Sequence, residues 1–266
     1  MNLSDDTVEM AADLLVEARL RAAALPELPE HCRPLSMADA YAIQAAGHRH
    51  PGAADWGGIS GHKIGCTTTV MQQYLKIDQP CAGGVFDETV MIGEGHVERS
   101  ALCRPGVECE IAVRLSADLP RRAGGHDHAS VGDAVAAVMA SIELVDDRWE
   151  DFSRVSMPSL LAGAFFNAGC VLGEEVADWQ GLDLAALAGR MLINGEEAGK
   201  GVGGDALGHP LVPLAWLANN LNQRGIMLRA GDVVLTGSIV ATKWLRPGDH
   251  MVTEVEGLGR ASLTVT

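Results

Sequence analysis

The segment Val107-Glu108-Cys109-Glu110-Ile111-Ala112-Val113-Arg114-Leu115 sets two carboxylates where they could do chemistry. Its odd positions are apolar, and its even positions are Glu108, Glu110, Ala112 and Arg114. Successive side chains of a strand point to opposite faces, so the alternation predicts a strand with its odd face in the core. Glu108 and Glu110 then stand side by side on the other face, where like charges repel unless something positive lies between them. A divalent cation would serve, and so would Arg114 or a lysine of a neighbouring strand. Glu143 poses a related problem. It interrupts an apolar run, 141–146, that reads as a strand buried on both faces. A buried carboxylate is costly unless it is paired, protonated or on a metal. An ion pair with Arg148 or another base is the plain alternative. Lys63 lies between Gly61 and Gly65 in a short strand over 59–66, where glycine lets backbone approach a ligand closely. Asp78 opens a loop over 78–84, as a turn residue or as a partner in proton transfer.

These residues need elements to position them. A helix is predicted over 6–24, with Asp6 and Glu9 in capping-box spacing and Pro26 and Pro29 beyond its end. A second runs over about 36–46 from Ser36 and Asp39, and 47–58 reads as a connecting loop. Thr67-Thr68-Thr69 can cap a helix to Leu75. Pro120 and Gly124-Gly125 mark a surface loop carrying His126 and His128, which are a metal pair or simply solvated. Residues 131–139 read as an Ala-rich helix, and 184–191 as another. A strand follows over 191–196 and ends in an Asn194-Gly195 hairpin turn. An amphipathic helix spans 211–224 and is closed by Gly225. Strands over 233–236, 251–256 and 260–265 complete the chain, the last two joined at Gly257-Leu258-Gly259.

The 266 residues suffice for one large domain or one domain with an extension, and 47% apolar content supports a core. A net charge of −15 lacks the basic footprint of a nucleic-acid partner. No apolar run is long enough to cross a bilayer, and the first residues resemble no signal peptide, so a cytoplasmic protein is expected. The six cysteines have no zinc spacing and read as reduced thiols. Gly201–Ala206 matches G-x-G-x-x-A, but Pro210 and Pro213 and the missing β-α-β context exclude a dinucleotide site. No P-loop, H-E-x-x-H or G-x-S-x-G is present.

Six short motifs occur in order: Gly61-His62-Lys63-Ile64-Gly65, Asp78-Gln79-Pro80, Glu108-Cys109-Glu110-Ile111-Ala112, Ile142-Glu143-Leu144-Val145, Leu207-Gly208-His209-Pro210 and Gly231-Asp232-Val233-Val234-Leu235-Thr236-Gly237. With them the chain resembles the fumarylacetoacetate hydrolase superfamily over roughly 36–266, in its 2-keto-4-pentenoate hydratase and 4-oxalocrotonate decarboxylase branch. The resemblance implies an α+β, mainly β fold: a mixed β-roll catalytic domain over 55–266 behind an N-terminal helical extension over 1–54. It implies Mg²⁺ or Mn²⁺ on Glu108, Glu110 and Glu143, Lys63 and Asp78 as catalytic groups, and Gln79, Thr236 and Gly237 against the substrate. Three carboxylates without a soft ligand suit such a hard cation. The implied reaction is hydration of a 2-hydroxy-2,4-dienoate, with decarboxylation, C–C hydrolysis and tautomerisation of related 2-oxo acids as alternatives. Lys63 would hold the substrate carboxylate or move a proton, its pKa lowered near the metal. A homo-oligomer is implied, with a decarboxylase chain as a further partner. A non-catalytic assembly subunit is the non-enzyme alternative. The chain departs from the branch at Ala162-Gly163-Ala164, where the hydratases show Ala-Asp-Asn or Ala-Asp-Asp.

Overall fold

The computed structural model describes residues 2–266. In chain order its helices are α1 (Asp5–Leu20), α2 (Met37–Arg49), α3 (Thr69–Leu75), α4 (His128–Gly132), α5 (Met157–Ala162) and α6 (Leu211–Gln223). Its strands are β1 (Ile59–Gly65), β2 (Cys81–Phe86), β3 (Val90–Ile92), β4 (Glu94–Val97), β5 (Pro105–Leu115), β6 (Val135–Asp146), β7 (Asn167–Leu172), β8 (Ala188–Ile193), β9 (Glu196–Val202), β10 (Val233–Trp244), β11 (His250–Val255) and β12 (Gly259–Val265).

The strands form two mixed sheets. The seven-stranded one has the order β2-β1-β10-β5-β6-β7-β3, and the five-stranded one the order β4-β12-β11-β8-β9. The odd face of β5 is core, with Val107, Cys109, Ile111 and Val113 fully buried. It shares one cluster with Ile142 and Val171 of its own sheet and with Met251, Ala261 and Leu263 of the other. The even face is not solvated either. Ala112 packs with Met139, Leu235, Val85 and Cys170 in a second cluster. Val85 and Cys170 come from strands five places apart in the sheet, so the sheet curls until its two sides meet around an interior. That interior holds the even face of β5.

Several elements differ from the sequence expectation, each for a tertiary reason. The helix expected over 131–139 is instead the short α4 followed by β6. Alanine and valine there satisfy helix propensity, but β6 pairs along its whole length with β5 on one side and then with β7 on the other. Burial on both faces outweighs a weak local preference. The helix expected over 184–191 is turns leading into β8, which is paired on both sides by β11 and β9. The loop expected over 78–84 contains the start of β2, because glycines 83 and 84 lie flat against β1. The first helix is capped by Ser4, not Asp6, and ends at Leu20. Ala22 turns left-handed, and Leu25 then exchanges backbone hydrogen bonds with Arg148 and Glu150. The second helix continues to Arg49, just short of Pro51, which opens a 3₁₀ turn over 51–56 where loop was expected. The expected cap at Ser36, α3 capped by Thr68, the Asn194-Gly195 hairpin and the Gly225 stop after α6 are all present.

Candidate metal centre

In an antiparallel pair, residues directly opposite each other share a face. The register of β5 and β6 sets Glu108 opposite Glu143 and Glu110 opposite Ser141. All three carboxylates therefore enter the curled interior within two residues' length. One oxygen from each lies within 4.8 Å of the others. That is inside the roughly 5 Å that two ligands of one hard cation can span. Lys63 comes from β1, two strands away across β10, and its ammonium is 3.1 Å from Glu143 Oε1. Glu110 and Glu143 are fully buried and Lys63 is 3% exposed.

Each carboxylate is tethered at one oxygen. Glu108 Oε1 accepts from the Thr242 hydroxyl. Glu110 Oε2 accepts from the Gly237 N–H at 2.8 Å. Glu143 Oε1 accepts from Asn167 Nδ2 at 3.0 Å as well as from Lys63. The other oxygens of Glu110 and Glu143 are buried without a partner among the described residues. Such orphaned acceptors cost about 1–3 kcal/mol each, more for charged groups. Three carboxylates against one ammonium also leave two negative charges uncompensated. A dication answers both deficits, so the donor set fits a hard divalent ion.

Electrostatics show the same imbalance. Burial, then Glu143 and Glu108, push the Glu110 carboxyl well above the usual carboxylate range. Burial is also the largest cause raising Glu143, and Lys63 opposes it. For Lys63, burial alone would favour the neutral amine. Glu143, Glu108 and Glu110 outweigh it and hold the ammonium charged beyond the ordinary lysine range. The three carboxylates facing Lys63 thus outweigh its burial.

Two backbone features build the site. Gly237 sits in a bulge of β10 with φ 113°, and a Cβ there would lie 2.3 Å from Thr67 Oγ1. Only glycine allows the turn that aims its N–H at Glu110. On the opposite wall, Ala164, Phe165 and Phe166 are consecutively left-handed, with φ of 55°, 46° and 70°. Each costs about 1–2 kcal/mol for a non-glycine residue. The segment delivers two contacts: the Phe165 carbonyl accepts from Lys63 at 3.3 Å, and Asn167 begins β7 with its amide on Glu143. This segment sets backbone, not a side chain, beside Lys63.

The remaining expected residues are placed differently. The Thr236 hydroxyl donates to the Ile111 carbonyl at 2.7 Å, and Gly237 serves Glu110. Asp78 and Gln79 are exposed in a bend after α3, a helix without a buried residue. His126 Nε2 lies 2.8 Å from the Pro120 carbonyl, away from the carboxylates. Asn167 and Thr242 were not anticipated. Both lie well outside the motifs, and only the register and the left-handed turn bring them in.

Comparison with known proteins sets this geometry in context. A family model described as fumarylacetoacetate hydrolase C-terminal matches residues 76–266. A 2-hydroxyhexa-2,4-dienoate hydratase of Comamonas testosteroni is 33% identical over 272 residues, 97% of each chain. A 4-oxalocrotonate decarboxylase of Pseudomonas putida is 32% identical, covering 98% of this chain and 97% of its own. The structure of the 4-oxalocrotonate decarboxylase of Pseudomonas putida G7, complexed with magnesium and adipate, superposes with a TM-score of 0.92 at 29% identity. It covers 100% of this chain and 99% of its own. No helix among the described residues is long and apolar enough to cross a membrane.

Proposed function

The chain belongs to the fumarylacetoacetate hydrolase family, and on that premise we propose that it is a divalent-metal-dependent lyase acting on a 2-oxo acid or its dienol, adding water to a 2-hydroxy-2,4-dienoate. The observation that carries this reading is the tethering of each carboxylate at one oxygen, with a buried orphan oxygen on Glu110 and on Glu143. Glu108, Glu110 and Glu143 would hold Mg²⁺ or Mn²⁺ through their remaining oxygens. When bound, the ion supplies Lewis-acid polarisation of a chelating 2-oxo acid.

The chain's own residues do the rest. Lys63, charged and fixed between Glu143 and the Phe165 carbonyl, is the proton source and carboxylate anchor nearest the cluster. To become the 2-oxo-3-enoate the dienol must take up a proton at C5 and give up its 2-hydroxyl proton before water adds at C4, and an ammonium held at one point serves that transfer. The apolar cluster of Val85, Met139 and Leu235 lines the interior beside the carboxylates and keeps it dry. Asp78 and Gln79, exposed in the bend after α3, take only a peripheral part in this scheme, and Thr236 enters through its backbone.

Decarboxylation of a 4-oxalocrotonate-type acid is the second reading, supported by the full-length match to a decarboxylase structure. Six free cysteines suit a reducing, cytoplasmic setting. Exposed Leu35, Ile92 and Trp244 suit a homo-oligomer or a decarboxylase partner chain. Turnover of 2-hydroxypenta-2,4-dienoate and of 2-oxohex-3-enedioate, with Mg²⁺ and with chelator, tests the assignment. Metal-dependent loss of the dienoate chromophore without CO₂ release supports hydration. CO₂ release from the diacid assigns the decarboxylase. No turnover of either acid with Mg²⁺ or Mn²⁺ contradicts both.

A further inference from the structure

A second charged cavity lies behind the metal centre, on the far side of the segment 162–167. Its walls are α1, α2, β2 and that segment, and Arg19, Gln44, His48, Arg148 and Asn167 contribute its polar groups. It measures about 70 Å³, room for several waters or one carboxylate group.

The charge balance there is the reverse of the metal centre's. The Arg19 guanidinium stacks 4.2 Å over the Trp56 ring and donates to the Ala168 carbonyl at 2.9 Å. Among the described residues it has no carboxylate partner. A guanidinium carries five N–H donors, and one of Arg19's is used. The Arg148 side chain, 12% exposed, reaches Asp146 only at 3.5 Å and the Asn167 carbonyl at 3.3 Å. Asp146 also accepts the Arg104 N–H at 2.6 Å, so this carboxylate is divided among its donors. Two guanidinium groups therefore face one shared carboxylate. Burial and then Arg148 lower the Arg19 pKa to about 9. Burial and then Arg224 and Arg19 hold His48 neutral, with its pKa down to about 4. In a chain of net charge −15, this is a local excess of partly buried positive charge.

We propose that this cavity is an anion site, built to take a small oxyanion, a carboxylate or phosphate, on the guanidinium forks of Arg19 and Arg148. Three observations carry it. Arg19 lines the cavity with one of its donors engaged, the planar fork matches a two-oxygen anion, and no carboxylate among the described residues lines it beside the two arginines. Trp56 and the aliphatic lining from α1 and α2 form the apolar part of its wall. The site does not depend on the metal reading. It does share a wall with the metal centre, since Arg148 holds the Asn167 carbonyl while the Asn167 amide holds Glu143.

The test is calorimetric titration of the full chain, loaded with Mg²⁺, with succinate and separately with inorganic phosphate, against chloride at equal ionic strength. Wild type and Glu143→Gln should both show saturable binding of at least one oxyanion, and the stronger arm identifies carboxylate or phosphate as the ligand class. Arg19→Gln should weaken it at least tenfold. If Arg19→Gln does not fold, Arg148→Gln carries the same expectation, and an anion-specific rise in wild-type melting temperature needs no variant. Oxyanions that bind and stabilise no better than chloride would overturn the proposal. So would binding unchanged in Arg19→Gln, or binding lost in Glu143→Gln, which would place the anion at the carboxylate cluster.

Discussion

The segment 162–167 divides two cavities of opposite charge. On one side three carboxylates face a single ammonium, and on the other two guanidinium groups face a single shared carboxylate. Neither side neutralises its neighbour, because backbone and apolar side chains lie between them. Phe165 is 8% exposed, and Ala164 packs so tightly on β2 that a Cβ at Gly83 would come within 3.0 Å of its own. Uncompensated buried charge is expensive, so a chain that keeps it on both sides of one wall is organised for ligands of opposite sign. The comparison also separates two kinds of support. The anionic side is tethered atom by atom, whereas the cationic side is held by stacking and by long, shared contacts.

The largest expected effect comes from removing the one cation on the anionic side. Lys63→Ala should cut kcat/KM by about 10²–10⁴, the range for a positioned proton-transfer group, while Mn²⁺ affinity stays within a few-fold of wild type. A lysine that served only as a structural counter-ion would give the opposite pattern, with stability lost and activity per folded molecule retained. Gly237→Ala should follow. It must relieve the clash with Thr67 and leave the left-handed turn, withdrawing the N–H from Glu110. A stability loss of about 2 kcal/mol or more is expected from strain of this kind, together with weaker metal binding. Denaturant midpoints and calorimetry check both.

Asn167→Ala tests the wall itself. Losing the amide on Glu143 should weaken metal affinity by about 10–100-fold, as for other groups that orient a ligand. Asn167→Asp, which removes the donor and adds charge, should be no better. An unchanged affinity would show that Lys63 alone positions Glu143.

The pH dependence sharpens the contrast more gently. Glu110 and Glu143 have folded pKa values raised above the unfolded ones. The folded apo protein therefore binds more protons, and it loses stability as pH rises from about 4.5, the carboxylate reference, toward 7 and beyond. His48 and His62 work in the other direction. Burial lowers them to about 4 and about 3, so they withdraw stability as pH falls below about 6.5, the unfolded histidine value. Comparing metal-free with Mg²⁺-loaded protein cancels the histidines. The gap in melting temperature should widen between pH 5 and pH 8. A gap constant over that range would mean that the carboxylates do not compete with the metal for protons. Asp78→Asn should have the smallest effect, within about tenfold on kcat; a larger loss would show that the α3 segment closes on the substrate.

The carboxylates were legible in the sequence because strand geometry is periodic. Glu108 and Glu110 had to share a face, and Glu143 stood in an apolar run where it needed a partner. The same periodicity placed β5, β12 and the Asn194-Gly195 hairpin. It failed at β6 and β8, where alanine- and leucine-rich stretches suit a helix locally and only pairing on both sides decides for strand. It could not reveal the second burial of β5, since the curl that brings Val85 to Cys170 is a property of the whole sheet. Asn167 and Thr242 were invisible for a related reason: their roles follow from register and from a strained turn. Arg148 was read only as a partner for Glu143 and Arg19 drew no reading; separated by 129 positions, they meet only because Leu25 pairs with the loop after β6.

The account rests on one cation held by Glu108, Glu110 and Glu143. Titrating Mn²⁺ by calorimetry into metal-free wild type, Glu108→Gln, Glu110→Gln and Glu143→Gln measures that directly. One ion per chain is predicted for wild type, with affinity lowered at least tenfold in each variant while all four proteins remain folded. Affinity unchanged in any two of the three variants, or no saturable binding to wild type, would contradict it.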